Sequence, residues 1–368
     1  MKIGVDCTVL SYPLGGVGHY LNNILNKLVE IDATNEYILF SNLEFEFKLQ
    51  SNKWKKLIKP SIVHSLLGIR KPLFGNSPEK ENLDLFWGAA SAFPFNLPAY
   101  TKKILTIHDL CWIDFPDGIS FKSRIYHRLF LEKFIYDSDL IFAVSNFTKS
   151  RLNASFPSVN GKVKVIYEGV ASYFRSIDKS EALRHVSSKY GINTQYLLNV
   201  GTIGPRKNLE NVFASFELIK QKNKSELKLV ITGLKEYRTS VPKDVILLGY
   251  VNNEDLVYLY NAASLLIFLS WYEGFGLPPI ESMACGTPCV VSNTSSIPEV
   301  VGDSAVQVPP DNPNMIADAV LFYMTSALQR DELRQKGFSR SKLFTWDNAA
   351  MEIMKSFNQL KNENTASS

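Results

Sequence analysis

Glu273 and Glu281 stand eight positions apart in the run Trp271-Tyr-Glu-Gly-Phe-Gly-Leu-Pro-Pro-Ile-Glu-Ser-Met-Ala-Cys-Gly-Thr-Pro288. Ionised acids make strong hydrogen bonds to neutral hydroxyls, which suits sugar recognition. Gly274 and Gly276 let the backbone come close to a ligand, and Pro278 and Pro279 suit the first positions of a helix. The turn therefore aims the amides of Phe275, Gly276 and Leu277 outward, with the positive end of a helix dipole behind them, a place for an anion such as a diphosphate. Glu273 would accept from the ring of a bound sugar. Glu281, read as lying in the first helical turn, would take the two ribose hydroxyls of a nucleotide. A surface loop acid at Glu273 and a dipole-complementing acid at Glu281 are the plainer alternatives, and both stay open here.

Two further places carry reactive side chains. In Tyr196-Leu-Leu-Asn-Val-Gly-Thr-Ile-Gly-Pro-Arg-Lys-Asn208, a strand gives way to a glycine turn at Gly201 and Thr202, then to Arg206 and Lys207 just ahead of a helix. A guanidinium there can bridge two diphosphate oxygens, and an ammonium can follow charge as it builds on a leaving group. Lys102-Lys-Ile-Leu-Thr-Ile-His-Asp-Leu110 reads as a strand delivering His108 to its C-terminal end, where open α/β sheets place ligands. A solvated basic pair and a core histidine bonded to Asp109 are the competing readings.

The elements that must hold these groups alternate strand and helix, with apolar runs such as Ala263–Ser270 of the length and composition of buried parallel strands. The chain opens with a strand, Lys2 to Asp6, then Gly15, Gly16 and Gly18 over a helix from about Val17 to Ile31. That loop is not a Gly-x-Gly-x-x-Gly dinucleotide fingerprint, and no acid stands where that reading wants one. Further expected elements are a helix from Phe121 to Asp137, a strand at Val163 to Val170, and a helix capped by Asn253. Periodicity is lost from about Leu43 to Glu81.

At 368 residues with 45% hydrophobic content the chain is long enough for two core-forming domains. A net charge of +4 is modest and does not point to nucleic acid. Four cysteines without a Cys-x-x-Cys pair read as buried thiols rather than a disulfide frame or zinc site. No stretch approaches the ~20 apolar residues of a membrane span, and Met1-Lys2 leads straight into a strand, so a cytoplasmic protein is expected.

Glu-x7-Glu with its internal Gly-Phe-Gly-Leu-Pro, continued by Glu-Ser-Met-Ala-Cys-Gly-Thr-Pro-Cys-Val, resembles the nucleotide-sugar site of the retaining glycosyltransferases of family four, which have the GT-B fold. The resemblance covers nearly the whole chain except about Leu43 to Glu81. It implies an α/β architecture of two facing doubly wound, Rossmann-like parallel-sheet domains with a cleft between them. The expected boundaries are 1–172 for an acceptor-side domain, completed by a C-terminal helix at 346–361, and 173–345 for the donor domain. It also implies a contact between His108 and the donor sugar, Gly16 on the acceptor side approaching the diphosphate, and a nucleotide base beside Gly233, Tyr250 and Val251. Many relatives carry arginine where Thr202 stands, which leaves the diphosphate charge to Arg206 and Lys207. Ser295, Ser296 and Pro298 would line the phosphate end, or simply form a turn and cap.

The reading is thus a retaining hexosyltransferase, with mannose from GDP-mannose as the donor class on family resemblance. No cofactor and no metal are expected, since no Asp-x-Asp pair stands at a strand end and Arg206, Lys207 and the helix amides can carry the leaving-group charge. A nucleotide-sugar epimerase or another hexosyltransferase of this fold is the alternative among enzymes. A catalytically silent sugar-nucleotide-binding, membrane-docking protein is the alternative from another class. Residues 47–74 hold Lys48, Lys53, Lys55, Lys56, Lys59, Arg70 and Lys71 interleaved with Trp54, Leu57, Ile58 and other apolar side chains. Such a segment can lie on an anionic membrane surface. That would place the protein peripherally on the inner face of the cell membrane, acting on a polyprenyl-linked saccharide in envelope polysaccharide assembly. A solvated loop with an apolar underside fits the same residues.

Overall fold

The structure, a computed structural model, describes residues 1–49, 51–58, 78–119, 121–201, 204–223, 226–233 and 241–366. The chain divides into two compact units, one formed by Met1–Trp112, Ser120–Gly169 and Trp346–Ser368, the other by Ile113–Ile119 and Val170–Thr345. Each is a doubly wound α/β domain, as the alternating pattern predicts.

In the first unit the described residues form a parallel sheet of order β3-β2-β1-β4-β5-β6-β7. Its strands are β1 (Lys2–Asp6), β2 (Glu36–Ser41), β3 (Trp54–Ile58), β4 (Leu85–Gly88), β5 (Lys102–Ile107), β6 (Leu140–Ala143) and β7 (Val163–Val165). The order reverses between β1 and β4, which makes their C-terminal ends a switch point, where ligands of such sheets bind. Helix Gly16–Ile31 buries Leu21, Ile24, Leu25 and Leu28 on one face, each worth about 1.5–3 kcal/mol. Helix Trp346–Ala366 completes this core. Trp346 meets Tyr20 edge-on at 5.9 Å, Phe357 meets Trp87 at 5.8 Å, and Lys164 pairs with Glu352 at 2.9 Å.

In the second unit the order is β10-β9-β8-β11-β12-β13, again all parallel. The strands are β8 (Tyr196–Val200), β9 (Lys228–Thr232), β10 (Val245–Gly249), β11 (Leu265–Phe268), β12 (Cys289–Ser292) and β13 (Val306–Val308). The switch point lies between β8 and β11. Leu197, Leu229, Ile231, Leu265, Ile267 and Val290 pack with Val212, Phe216 and Ile219 of helix Leu209–Lys222 and with Ile316 and Val320. All four cysteines are buried thiols outside any disulfide among the described residues.

Several local expectations need correction. The stretch from Leu43 to Glu81 contains an edge strand, β3, because Trp54 stacks on Tyr37 with ring centroids 4.1 Å apart and is buried. The cap of helix Asn253–Ala262 is Asn252, whose side chain accepts from the amide of Asp255. The helix expected at 121–137 is interrupted by a π-helical turn, His127–Leu131. The final helix runs on to Ala366 rather than ending at 361. Glu281 lies a full turn into helix Leu277–Ala284, not in its first turn, since the helix starts at Leu277.

Candidate active site

The loop after β11 and the turn after β8 meet at Glu273. Its carboxylate accepts from Lys207 Nζ at 2.7 Å and from Arg206 Nη1 at 2.9 Å. Glu273 and Lys207 are both buried, and Lys207 Nζ sits 4.6 Å from the centre of the Phe268 ring. Burial alone would raise the Glu273 carboxyl, but the Lys207 and Arg206 charges outweigh it and hold it down at about 2. Burial lowers the Lys207 ammonium against the pull of Glu273. An ammonium has three donors and Glu273 takes one, so Lys207 can meet a phosphate oxygen without leaving its partner.

Glycines make this packing possible. A side chain at Gly201 would stand 2.9 Å from Lys207 Cε, and its φ of 150° already suits glycine. Gly276 caps helix Leu277–Ala284 with φ 108°, and a Cβ there would strike Ile297 at 2.5 Å. Pro278 and Pro279 follow Leu277 as the second and third residues of the helix, within the first turn where proline is tolerated. Ser295 and Ser296 anchor the loop. Ser295 Oγ accepts from the Glu273 amide at 2.9 Å, and Ser296 Oγ donates to the carbonyls of Glu273 and Phe275 at 2.9 and 2.8 Å.

Glu281 accepts from Tyr260 Oη at 2.9 Å. Burial and that carboxylate drive the Tyr260 hydroxyl well above its ordinary value, so it stays a donor. Tyr173, 39% exposed, feels this acid: its hydroxyl is raised by burial, by the Glu281 charge and by Tyr250, which is 70% exposed. Gly233, with φ 83°, donates to the Gly249 carbonyl at 2.6 Å, which ties the turns after β9 and β10 together and leads into Tyr250 and half-buried Val251. Thr202 lies outside the described residues.

In the first unit Gly16 opens helix Gly16–Ile31, and a Cβ at Gly15 or Gly16 would meet nothing within 4 Å. Among the described residues nothing crowds either exposed position. His108 follows β5. Its Nε2 lies 2.9 Å from the Ala89 carbonyl and its Nδ1 lies 3.4 Å from Glu168 Oε1, while Tyr20 meets the ring edge-on at 4.8 Å. The competing reading, a core histidine bonded to Asp109, does not match these partners. Asp109 instead accepts from the Cys111 amide.

His108 also borders a cavity of about 350 Å³ within this unit, shared with Asp6, Thr8, Tyr12 and Trp112. Asp6 is fully buried, its Oδ2 has no hydrogen-bond partner, and burial pushes its carboxyl up to about 7.

The second unit thus brings Gly201, Arg206, Lys207 and Glu273 together, and the first unit holds Gly16 and His108. Sequence reasoning missed Glu168, Tyr260, Tyr173 and Asp6. Asp6 alone had a signal, an acid ending an apolar strand at a switch point.

Residues 185–340 match the family described as glycosyl transferases group 1. The O-antigen chain mannosyltransferase B of Escherichia coli is 28% identical over 98% of this chain and 100% of its own length. Among solved structures, sucrose-phosphate synthase from Thermosynechococcus elongatus aligns with a TM-score of 0.74 at 18% identity, covering 98% of this chain and 99% of that one. HepE of Anabaena in complex with UDP-glucose aligns with a TM-score of 0.71 at 15% identity, covering 98% of this chain and 100% of that one. Its two parallel-sheet domains have the GT-B architecture, and the match to the group 1 glycosyltransferases falls on the second of them, with the loop after β11 inside it.

Proposed function

We propose that this protein is a retaining, metal-independent hexosyltransferase that moves mannose from GDP-mannose to a saccharide acceptor in cell-envelope polysaccharide assembly. One observation carries the reading: Lys207, Arg206 and Glu273 converge at the switch point of the second sheet. Two cations against one acid leave a net positive charge where a leaving diphosphate would build negative charge, a task a metal would otherwise perform. The mannose assignment leans on the E. coli relative, a mannosyltransferase by name.

Glu273, ionised and held by two cations, is ill suited to donate a proton or to attack an anomeric carbon. A front-face route fits these residues better. The acceptor oxygen bonds to the anomeric carbon from the leaving-group side, the bond to the diphosphate oxygen breaks, and the acceptor proton passes to that phosphate. Arg206 and Lys207 stabilise the departing charge, and Glu281 with Tyr260 holds the ribose.

A polyprenyl-linked acceptor at a membrane is part of the same proposal. Among the described residues no helix is long and apolar enough to cross a membrane. Trp54 is buried, Lys53 bonds the Ala33 carbonyl, and Lys56 bonds the Phe45 carbonyl at 3.1 Å. Membrane contact by 47–74 is thus left to the exposed Lys48, Leu49 and Lys55, and to Lys59, Arg70, Lys71 and the apolar residues between them, which lie outside the described residues.

The test is turnover of GDP-mannose, against UDP-glucose and GDP-glucose, by the purified chain with mannosyl acceptors in the presence of a strong chelator. The expected product keeps the donor's anomeric configuration. Inverted product, or activity lost to the chelator and restored by magnesium or manganese, would remove the corresponding part of the proposal.

A further inference from the structure

A second gathering of cations lies at the opposite edge of the second sheet from Arg206 and Lys207. A cavity of about 610 Å³ is bordered there by Gln195, Ser264 and Pro288, the residues that immediately precede β8, β11 and β12. Gly201 and the loop carrying Glu273 leave the other ends of β8 and β11, roughly 15 Å away at about 3.3 Å of rise per residue. The two places are therefore distinct sites in one unit.

Lys179, Arg330 and Arg334 border the cavity. Lys179 opens helix Lys179–Tyr190, and the two arginines, four positions apart, share one face of helix Ala327–Ser341. Arg330 Nη1 donates to the carbonyls of Tyr323 and Met324 at 3.1 and 2.8 Å, and the Arg334 guanidinium lies 5.5 Å from the Phe338 ring centre. Gly286, with φ 80°, would bring a Cβ to 3.1 Å from Arg334 Nε, so glycine there leaves the guanidinium its room.

Neutral groups thus hold both arginines in place without cancelling their charge. Asp178 and Asp331 share the border, yet Asp178 is spent on its own helix, accepting from Ser180 Oγ and from the Glu181 amide at 2.9 Å. Among the described residues none of the three cations forms an ion pair, and Lys179 Nζ has no hydrogen-bond partner. Partial burial and the nearby Arg330 and Arg334 charges hold the Lys179 ammonium below the usual lysine range. Three cations against the two acids leave the concavity with a net positive charge, which raises the local potential for anions, and guanidinium forks match phosphate oxygens.

We propose that the cavity bordered by Lys179, Arg330 and Arg334 is a second anion site of this protein, built for a phosphate group carried by a soluble ester or by a lipid headgroup. It stands independently of the transferase reading, because binding there requires no turnover. Lys179 and Arg334 sit at the exposed rim, so replacing them leaves the core intact.

The experiment titrates inorganic phosphate into the full chain, into Lys179→Gln/Arg334→Gln and into Arg206→Ala, by calorimetry at constant ionic strength. The double variant is expected to weaken this binding about tenfold or more, and Arg206→Ala to retain it. Sedimentation with phosphatidic acid vesicles, against phosphatidylcholine alone, then separates the sources. Co-sedimentation lost in the double variant assigns a headgroup, whereas phosphate binding without co-sedimentation assigns a soluble ester. No phosphate binding by the parent, or equal binding by parent and double variant, overturns the proposal.

Discussion

Lys207 Nζ lies 2.7 Å from Glu273 Oε1 in a buried ion pair, so the cation proposed to meet the leaving group is already engaged before any substrate arrives. Breaking such a pair from one side leaves an uncompensated buried charge. Lys207→Met is therefore expected to cost about 3–5 kcal/mol of stability. It should also lower kcat by about a hundredfold or more, with a smaller change in donor affinity, because its contact strengthens as charge leaves the sugar. Calorimetric unfolding with single-turnover kinetics checks both, and a loss confined to donor affinity would contradict the role.

Acid sensitivity follows from the same pair. Glu273 is held below its ordinary value, so its contribution to stability is present above about pH 4.5 and fades as pH falls toward about 2. Glu273→Gln should flatten that part of the stability profile measured by thermal unfolding.

Asp6 has the opposite sign. Its carboxyl is raised to about 7, so the folded state binds the proton more tightly than the unfolded chain does, and stability falls as pH rises from about 4 to about 7. The shift from 3.8 corresponds to about 4 kcal/mol lost by neutral pH. Groups facing the same region are His108, Asp109 and His127 around the cavity, with Tyr126 and Cys7 close enough to feel the Asp6 charge. Asp6→Asn is expected to remove the slope and raise the melting temperature near neutral pH. An unchanged profile would count against the raised carboxyl.

Glu281→Ala should weaken binding of the free nucleoside diphosphate by about tenfold or more, whatever sugar the donor carries, since a buried tyrosine hydroxyl also loses its acceptor. Equal affinity in parent and variant would end the ribose assignment. Glu168→Gln probes the other unit. The amide keeps the shape beside His108 Nδ1 but removes the charge, and kcat is expected to fall about tenfold with donor KM nearly constant.

The parallel sheets and the placing of Arg206 and Lys207 just ahead of a helix were legible because they follow from apolar runs and from turns with fixed chemistry, whereas their ion pairs with Glu273 were not. Gly201 and Gly276 marked the places where backbone must pass close to a side chain or take a positive φ. Glu168 was not legible, since its meeting with His108 depends on β5 and β7 flanking β6 in one sheet, which lets the segments leaving their C-terminal ends meet. Tyr260 was hidden for a similar reason, as its hydroxyl reaches Glu281 across helix packing that no local pattern reports. Trp54 misled in the other direction. With its neighbours Lys53, Lys55 and Lys56 it suggested a membrane-facing segment, while stacking on Tyr37 decides its burial.

Because helix Trp346–Ala366 belongs with β1 to β7, the first unit draws on segments separated by the whole of the second. During translation, residue 345 emerges when nearly all of the second unit is available and the first still lacks the helix that covers Tyr20 and Trp87. Domains usually mature in the order in which the ribosome delivers them. Here the unit begun first is finished last, and a stalled or proteolytically clipped chain that stops short of Trp346 would expose aromatic surface to chaperones while its second domain is already native.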